Sequence, residues 1–216
     1  MYSTLLFIFL IILAYLIGSL CSAVIVSNIF KLPDPRIHGS NNPGATNVLR
    51  LAGKKYAAIV LIADMLKGLI PVLIGHAFNA SAETLGYTCF AAVFGHMYPL
   101  FFKFKGGKGV ATALGAFLGF HLMMGAFLIA TWILVANISK YSSLASLIVI
   151  LFAPFYSLFF VGNSSALLPL LLIAIFVLYK HRNNISRLVD GEEPKINLRK
   201  IKEQIKKEVK STNSDD

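Results

Sequence analysis

The chain has 216 residues, of which 56% are hydrophobic and only 14% charged, with a mean hydropathy of +0.72. That balance excludes an ordinary water-soluble domain, because apolar runs reach the roughly 20 residues a helix needs to cross a bilayer. The net charge of +10 would suggest nucleic acid in a soluble protein. Between apolar runs it marks the cytoplasmic side and anionic lipid instead, so nucleic acid is set aside as a partner.

The pattern predicts an all-α integral membrane protein with about seven transmembrane helices. In chain order these are roughly 4–30, 56–77, 85–102, 109–119, 122–139, 144–162 and 165–182. No basic residue precedes the first, and it is too long for a signal-peptide core, so 1–30 reads as a retained span. Leu20 stands before Cys21 where a lipoprotein would have a small residue. The fourth span is short, and five full spans with re-entrant pieces is the competing count. Of the 20 Lys and Arg residues, all but Lys67 fall on one side of this arrangement. That side is predicted to be cytoplasmic, with the N-terminus outside and the C-terminus inside. Residues 1–194 form a single polytopic domain. Residues 195–216 form a basic tail, in which Leu198, Ile201, Ile205 and Val209 recur at helical spacing, either as a surface helix or as a solvated segment. Cys21 and Cys89 lie at different predicted depths and are read as buried thiols.

Three polar stretches interrupt the apolar chain, all on the predicted cytoplasmic side. The first is GSNNPGATNVLR, residues 39–50. Asn42 can cap a helix whose first residue is Pro43, leaving Ser40 and Asn41 at its positive end. Thr46, Asn47 and Arg50 then share a face, and a hydroxyl, an amide and a guanidinium together suit a phosphate. The second is KFKGGKGVATALG, residues 103–115. Gly106, Gly107 and Gly109 allow backbone N–H groups to converge, a helix begins just after them, and Lys108 adds a full charge. This is not a Walker A loop, since Gly109 rather than Ser or Thr follows Lys108. The third is YKHRNNISRLVDGEEP, residues 179–194, which begins where the last span ends. His181 and Asn184 lie on one face with Arg187 one turn further. His181 can move a proton or bind phosphate, and Glu193 can anchor the segment to a basic neighbour.

Within the spans, Asp64 and Lys67 are three residues apart and are predicted to pair, since each alone is unfavourable in a bilayer. His96 is placed to bond across helices or to approach the site. Ser143 and Ser146 open the sixth span on the cytoplasmic side. No Gly-x-Ser-x-Gly elbow is present. No histidine is followed five residues later by aspartate, the signature of many glycerolipid acyltransferases. No cluster has metal-ligand spacing, so no metal and no cofactor is expected.

Together the three stretches resemble the cytoplasmic motifs of the PlsY family, the bacterial acyl-phosphate:glycerol-3-phosphate acyltransferases. The resemblance runs from Gly18-Ser19 to about Ile196, with order and spacing in agreement. It implies a seven-helix enzyme of the bacterial inner membrane, with its site at the cytoplasmic face. The reaction implied takes a fatty acyl group from acyl phosphate to the sn-1 hydroxyl of glycerol 3-phosphate, giving lysophosphatidic acid and phosphate without acyl-CoA or acyl carrier protein. It assigns Ser40, Arg50, Lys108, His181 and Asn184 to catalysis around two phosphates. Asn41, Thr46, Asn47, Gly106, Gly107, Gly109, Ser143 and Ser146 are assigned to substrate binding, and Glu193 to structure. The base is either His181 or the donor's own phosphate. Membrane lipid is a further partner, and association with other phospholipid-synthesis enzymes is compatible with the reading. The alternative from another class is a transporter or channel for a phosphorylated metabolite.

Overall fold

The computed structural model describes residues 2–162 and 164–196; the predicted tail helix of 198–209 lies outside them. The described residues contain helices and turns, with no strand among them. The helices are α1 (Tyr2–Gly18), α2 (Ser22–Ile29), α3 (Ala45–Ala52), α4 (Lys54–Ala77), α5 (Ala82–Met97), α6 (Val110–Phe120), α7 (Leu122–Ser139), α8 (Ser142–Val161), α9 (Leu167–Lys180) and α10 (Arg182–Val189).

Among the described residues, five stretches are long and apolar enough to cross a membrane: α1 continued into α2, α4, α5 with its following turn, α7, and α8. The continuous run through α9 and α10 makes a sixth if counted as one span, but it bends by 60° at His181. The count of seven is therefore not reproduced by length. Helix α6, the predicted fourth span, has 11 residues. At 1.5 Å per residue it reaches about 16 Å, roughly half of a hydrocarbon core.

Within lipid, apolar contact alone gives helices little reason to choose one another, so close backbone approach through small residues matters. The sequence supplies it at two crossings. A β-carbon on Gly68 would fall on the Thr112 carbonyl of α6, and one on Gly115 would fall on the Met65 carbonyl of α4. Likewise Gly18 of α1 faces the Ala92 carbonyl of α5, and Gly95 of α5 faces the Tyr15 carbonyl. Short α6 is thereby wedged between α4, α5 and α7, with Phe117 fully buried in the main core beside Val93, Met97, Leu128, Ile150 and Ile173. Helix α3 packs on α4 through Val48, in a second cluster with Ala23, Val26 and Val60. Both cysteines are free and buried.

The consequence for function is at one end of the bundle. The loop before α3, the turn from α5 to α6, the start of α8 and the α9–α10 bend contribute to a single polar cluster.

Candidate active site

The first polar stretch is organised by Asn47. Its amide nitrogen donates to the carbonyls of Pro35 and His38, both at 3.0 Å, and its Oδ1 accepts the Ser40 N–H at 2.9 Å. The loop thus closes on the first turn of α3. That differs from the predicted cap: α3 begins at Ala45 with Gly44 as an extended N-cap, while Asn42 and Pro43 remain in the loop. The reason is that Asn47 already holds the backbone ahead of the helix. Both N–H groups of Asn47 are thereby engaged, so its role is to shape the loop. Ser40 and Asn41 are exposed on it, Thr46 is half-buried, and half-buried Arg50 lies in the last turn of α3.

The second stretch leaves α5 through a tight turn. Gly109 has φ +87 and precedes α6, as its position between lysine and helix demands. Gly106 and Gly107 have a different reason for lacking side chains. A β-carbon on Gly106 would strike the His96 carbonyl, and one on Gly107 would strike the His96 ring. The Gly107 N–H donates to the His96 carbonyl at 3.2 Å. The same β-carbon would also come close to the Pro43 carbonyl, so the first and second stretches meet here.

The third stretch enters at the bend. The buried His181 ring has its Nδ1 at 2.8 Å from the Val177 carbonyl, to which it donates in the neutral form, leaving Nε2 as the acceptor nitrogen. Burial and the nearby Lys108 charge push the His181 imidazole down to about 4, so it is uncharged at neutral pH.

A hydrogen-bonded chain then joins the second and third stretches. Lys108 Nζ donates to Asn184 Oδ1. Asn184 Nδ2 donates to Glu193 Oε1 at 2.7 Å, and Arg187 Nε donates to Glu193 Oε2 at 2.8 Å. Both ends of the Asn184 amide are fixed by these bonds. Buried Ser143, at the start of α8, lies beside the Glu193 carboxylate, and its hydroxyl has no closer partner among the described residues. Burial raises the Glu193 carboxyl, but Ser143, Asn184 and Arg187 outweigh it and hold the group below its usual range. Burial pulls the Lys108 ammonium down to about 8, against the attraction of Glu193. Arg50 is also lowered by burial, with Glu193 opposing and Arg187 adding to the fall. One carboxylate thus faces three cations, an excess of positive charge suited to a phosphate.

The structure therefore gathers Arg50, Lys108, His181, Asn184, Ser143 and Glu193, with the glycine turn beside them. It turns Ser146 elsewhere: the hydroxyl donates to the Ser142 carbonyl at 2.7 Å and accepts from Trp132 Nε1 at 3.2 Å, tying α8 to α7. The basic neighbour expected for Glu193 is Arg187, one turn beyond Asn184. One participant was not expected from sequence. Lys180 donates to the Met97 carbonyl at 3.2 Å and stacks over the Tyr98 ring, anchoring the bend to the end of α5. No group of His, Cys, Asp and Glu among the described residues is arranged to hold a metal.

The same arrangement has known relatives. The family model described as glycerol-3-phosphate acyltransferase matches residues 8–191. A glycerol-3-phosphate acyltransferase of Legionella pneumophila (strain Corby) is 57% identical over 194 residues, covering 90% of this chain and 70% of that protein. One from Vibrio campbellii is 50% identical, covering 88% and 93% respectively. The crystal structure of PlsY (YgiH), an integral membrane glycerol 3-phosphate acyltransferase, in its glycerol 3-phosphate form, matches with a TM-score of 0.81 at 40% identity. It covers 90% of this chain and 98% of that one. The lysophosphatidic acid form matches with a TM-score of 0.81 at 38% identity, over 90% and 97%. These likenesses displace the transporter alternative, and the chain belongs to the glycerol-3-phosphate acyltransferase family.

Proposed function

We propose that the protein transfers a fatty acyl group from acyl phosphate to the sn-1 hydroxyl of glycerol 3-phosphate at the cytoplasmic face of the bacterial inner membrane. The observation that carries this reading is the chain from Lys108 through Asn184 and Glu193 to Arg187, with Arg50 close enough to feel its charges. It joins two motifs into one anion site at the end of an apolar bundle, where a fatty chain and two phosphate groups must meet.

Acyl phosphate is a mixed anhydride with a good leaving group, so no covalent enzyme nucleophile is required. The hydroxyl oxygen of the acceptor attacks the acyl carbonyl carbon. The carbon–oxygen bond to phosphate breaks, and the proton leaves on the departing phosphate. Arg50 and Lys108 neutralise phosphate charge, the glycine turn and Ser40 orient the acceptor phosphate, and Asn184 fixes the direction of Lys108. His181, neutral and with Nε2 as an acceptor, orients a hydroxyl but is too weak a base to be the main proton acceptor. The donor phosphate takes that part. No cofactor enters the scheme.

The test is phosphate release by purified protein in nanodiscs. Release should require both acyl phosphate and glycerol 3-phosphate. Equal release without the acceptor would make the protein a phosphatase and remove the acyl-transfer reading.

A further inference from the structure

Beneath the glycine turn lies a second polar group that the acyl-transfer scheme does not use. Lys67 Nζ is 2.8 Å from Asp64 Oδ1 and donates to the Leu20 carbonyl at 2.7 Å, in the break between α1 and α2. His96 Nδ1 faces the same Asp64 oxygen at 3.5 Å, a longer polar contact. All three residues are buried; Lys67 is the close partner of the Asp64 oxygen, and His96 Nδ1 has no nearer polar partner among the described residues than that oxygen. Even a buried ion pair bears the desolvation of both its charges, and apolar residues would pack the same space at less cost. The group therefore calls for a use beyond packing.

Its position supplies one. The other nitrogen of the His96 ring, Nε2, lies against the face of Gly107 where a β-carbon would stand. The His96 carbonyl accepts the Gly107 N–H and also closes off the space beside Gly106. His96 is thus the floor of the turn, and the Pro43 carbonyl bounds it from the first motif.

We propose that Asp64, Lys67 and His96 form a positioning device for the phosphate turn. Lys67, held on the Leu20 carbonyl, fixes Asp64. Asp64 directs Nδ1 of His96, and the directed ring sets the height of the Gly107 peptide and hence the aim of the turn's N–H groups. None of the three touches substrate. The inference rests on the reading that this turn holds the acceptor phosphate. A misplacement of about 1 Å at such a site is worth on the order of a hundredfold in rate, so a small rotation of a buried ring is enough to be read in kinetics.

Two variants separate the parts. His96→Phe keeps a ring under Gly107 and leaves the Lys67–Asp64 pair intact, but gives Asp64 nothing to direct. The paired change Asp64→Asn with Lys67→Gln leaves no buried charge and keeps His96. For each, the KM for glycerol 3-phosphate should rise about tenfold or more. The KM for acyl phosphate should stay within about twofold, and the thermal midpoint should stay near that of wild type. Wild-type turnover in the same assay stands as the separate test of the acyl-transfer reading. Unchanged KM for glycerol 3-phosphate in both variants would overturn the proposal. So would a loss confined to folded yield and thermal midpoint, with normal KM in the protein that survives. If only one variant folds, that variant decides by the same two readouts.

Discussion

At the scale of single residues the site is a matter of which charges exist at working pH. Lys108 has its ammonium lowered to about 8 by burial. The sign follows directly: below that value the free enzyme carries the cation and binds phosphate, and above it the charge and the affinity are lost. kcat/KM should therefore fall along an alkaline limb near pH 8, and Lys108→Arg should move that limb beyond pH 10 in whatever activity it retains. Arg50→Ala and Lys108→Ala should each remove a charge-assisted contact worth about 1.5–3 kcal/mol, a loss of roughly 10- to 100-fold. Arg36→Ala is the control, because Arg36 is already paired with Asp34 at 2.6 Å on the first loop. Equal, small losses in all three would reduce the basic residues to topology markers. His181 makes the opposite prediction. An obligatory histidine base of ordinary basicity would give an acid limb near pH 6–7. Burial lowers this imidazole to about 4 instead. An acid limb near pH 6 then belongs to phosphate, whose second ionisation lies there. His181→Gln should slow the enzyme yet keep that limb; a variant left with only background turnover and no acid limb would restore His181 as the base.

At the scale of elements, the glycine turn shows how much was readable and how much was not. A run of three lysines and three glycines stands out in an apolar chain, since each polar group there needs a reason to be present. That made the turn, Lys108 and the start of α6 legible. The reason for Gly106 and Gly107 was hidden, because it depends on His96, ten and eleven residues away and packed through space. Asn47 was read from sequence as a substrate contact, and its role in tying Pro35, His38 and Ser40 together was not legible. The bend at His181 was likewise beyond periodicity, because apolar spacing continues up to it. Substitution separates the two glycines. Alanine at Gly106 meets backbone, which cannot move aside, so Gly106→Ala should lower the thermal midpoint as well as activity. Alanine at Gly107 meets the buried His96 ring, with the Pro43 carbonyl close by, so the ring must tilt to admit it. Gly107→Ala should cost less stability than Gly106→Ala and raise the KM for glycerol 3-phosphate about tenfold, measured by initial rates. A rise in the acyl-phosphate KM alone would assign the turn to the donor.

At the scale of the whole molecule the claim is one-sidedness: all three motifs converge at a single end of the bundle. Apolar runs and the distribution of Lys and Arg made this legible, whereas the number of full crossings was not, because 11 residues of α6 read as a span by hydropathy and fall short by length. In a background with Cys21 and Cys89 replaced, exposed single cysteines at Lys105 and Asn183 should react only with cytoplasmic reagent, and one at Glu83 only with external reagent. Reaction of Lys105→Cys and Glu83→Cys from the same side would contradict the proposed orientation. The most direct measurement of the central claim is a product balance on the purified protein in nanodiscs, supplied with acyl phosphate and isotopically labelled glycerol 3-phosphate. Labelled lysophosphatidic acid and inorganic phosphate should appear in equal amounts, with acyl-CoA giving none. Phosphate release without labelled lysophosphatidic acid, or equal turnover from acyl-CoA, would contradict it.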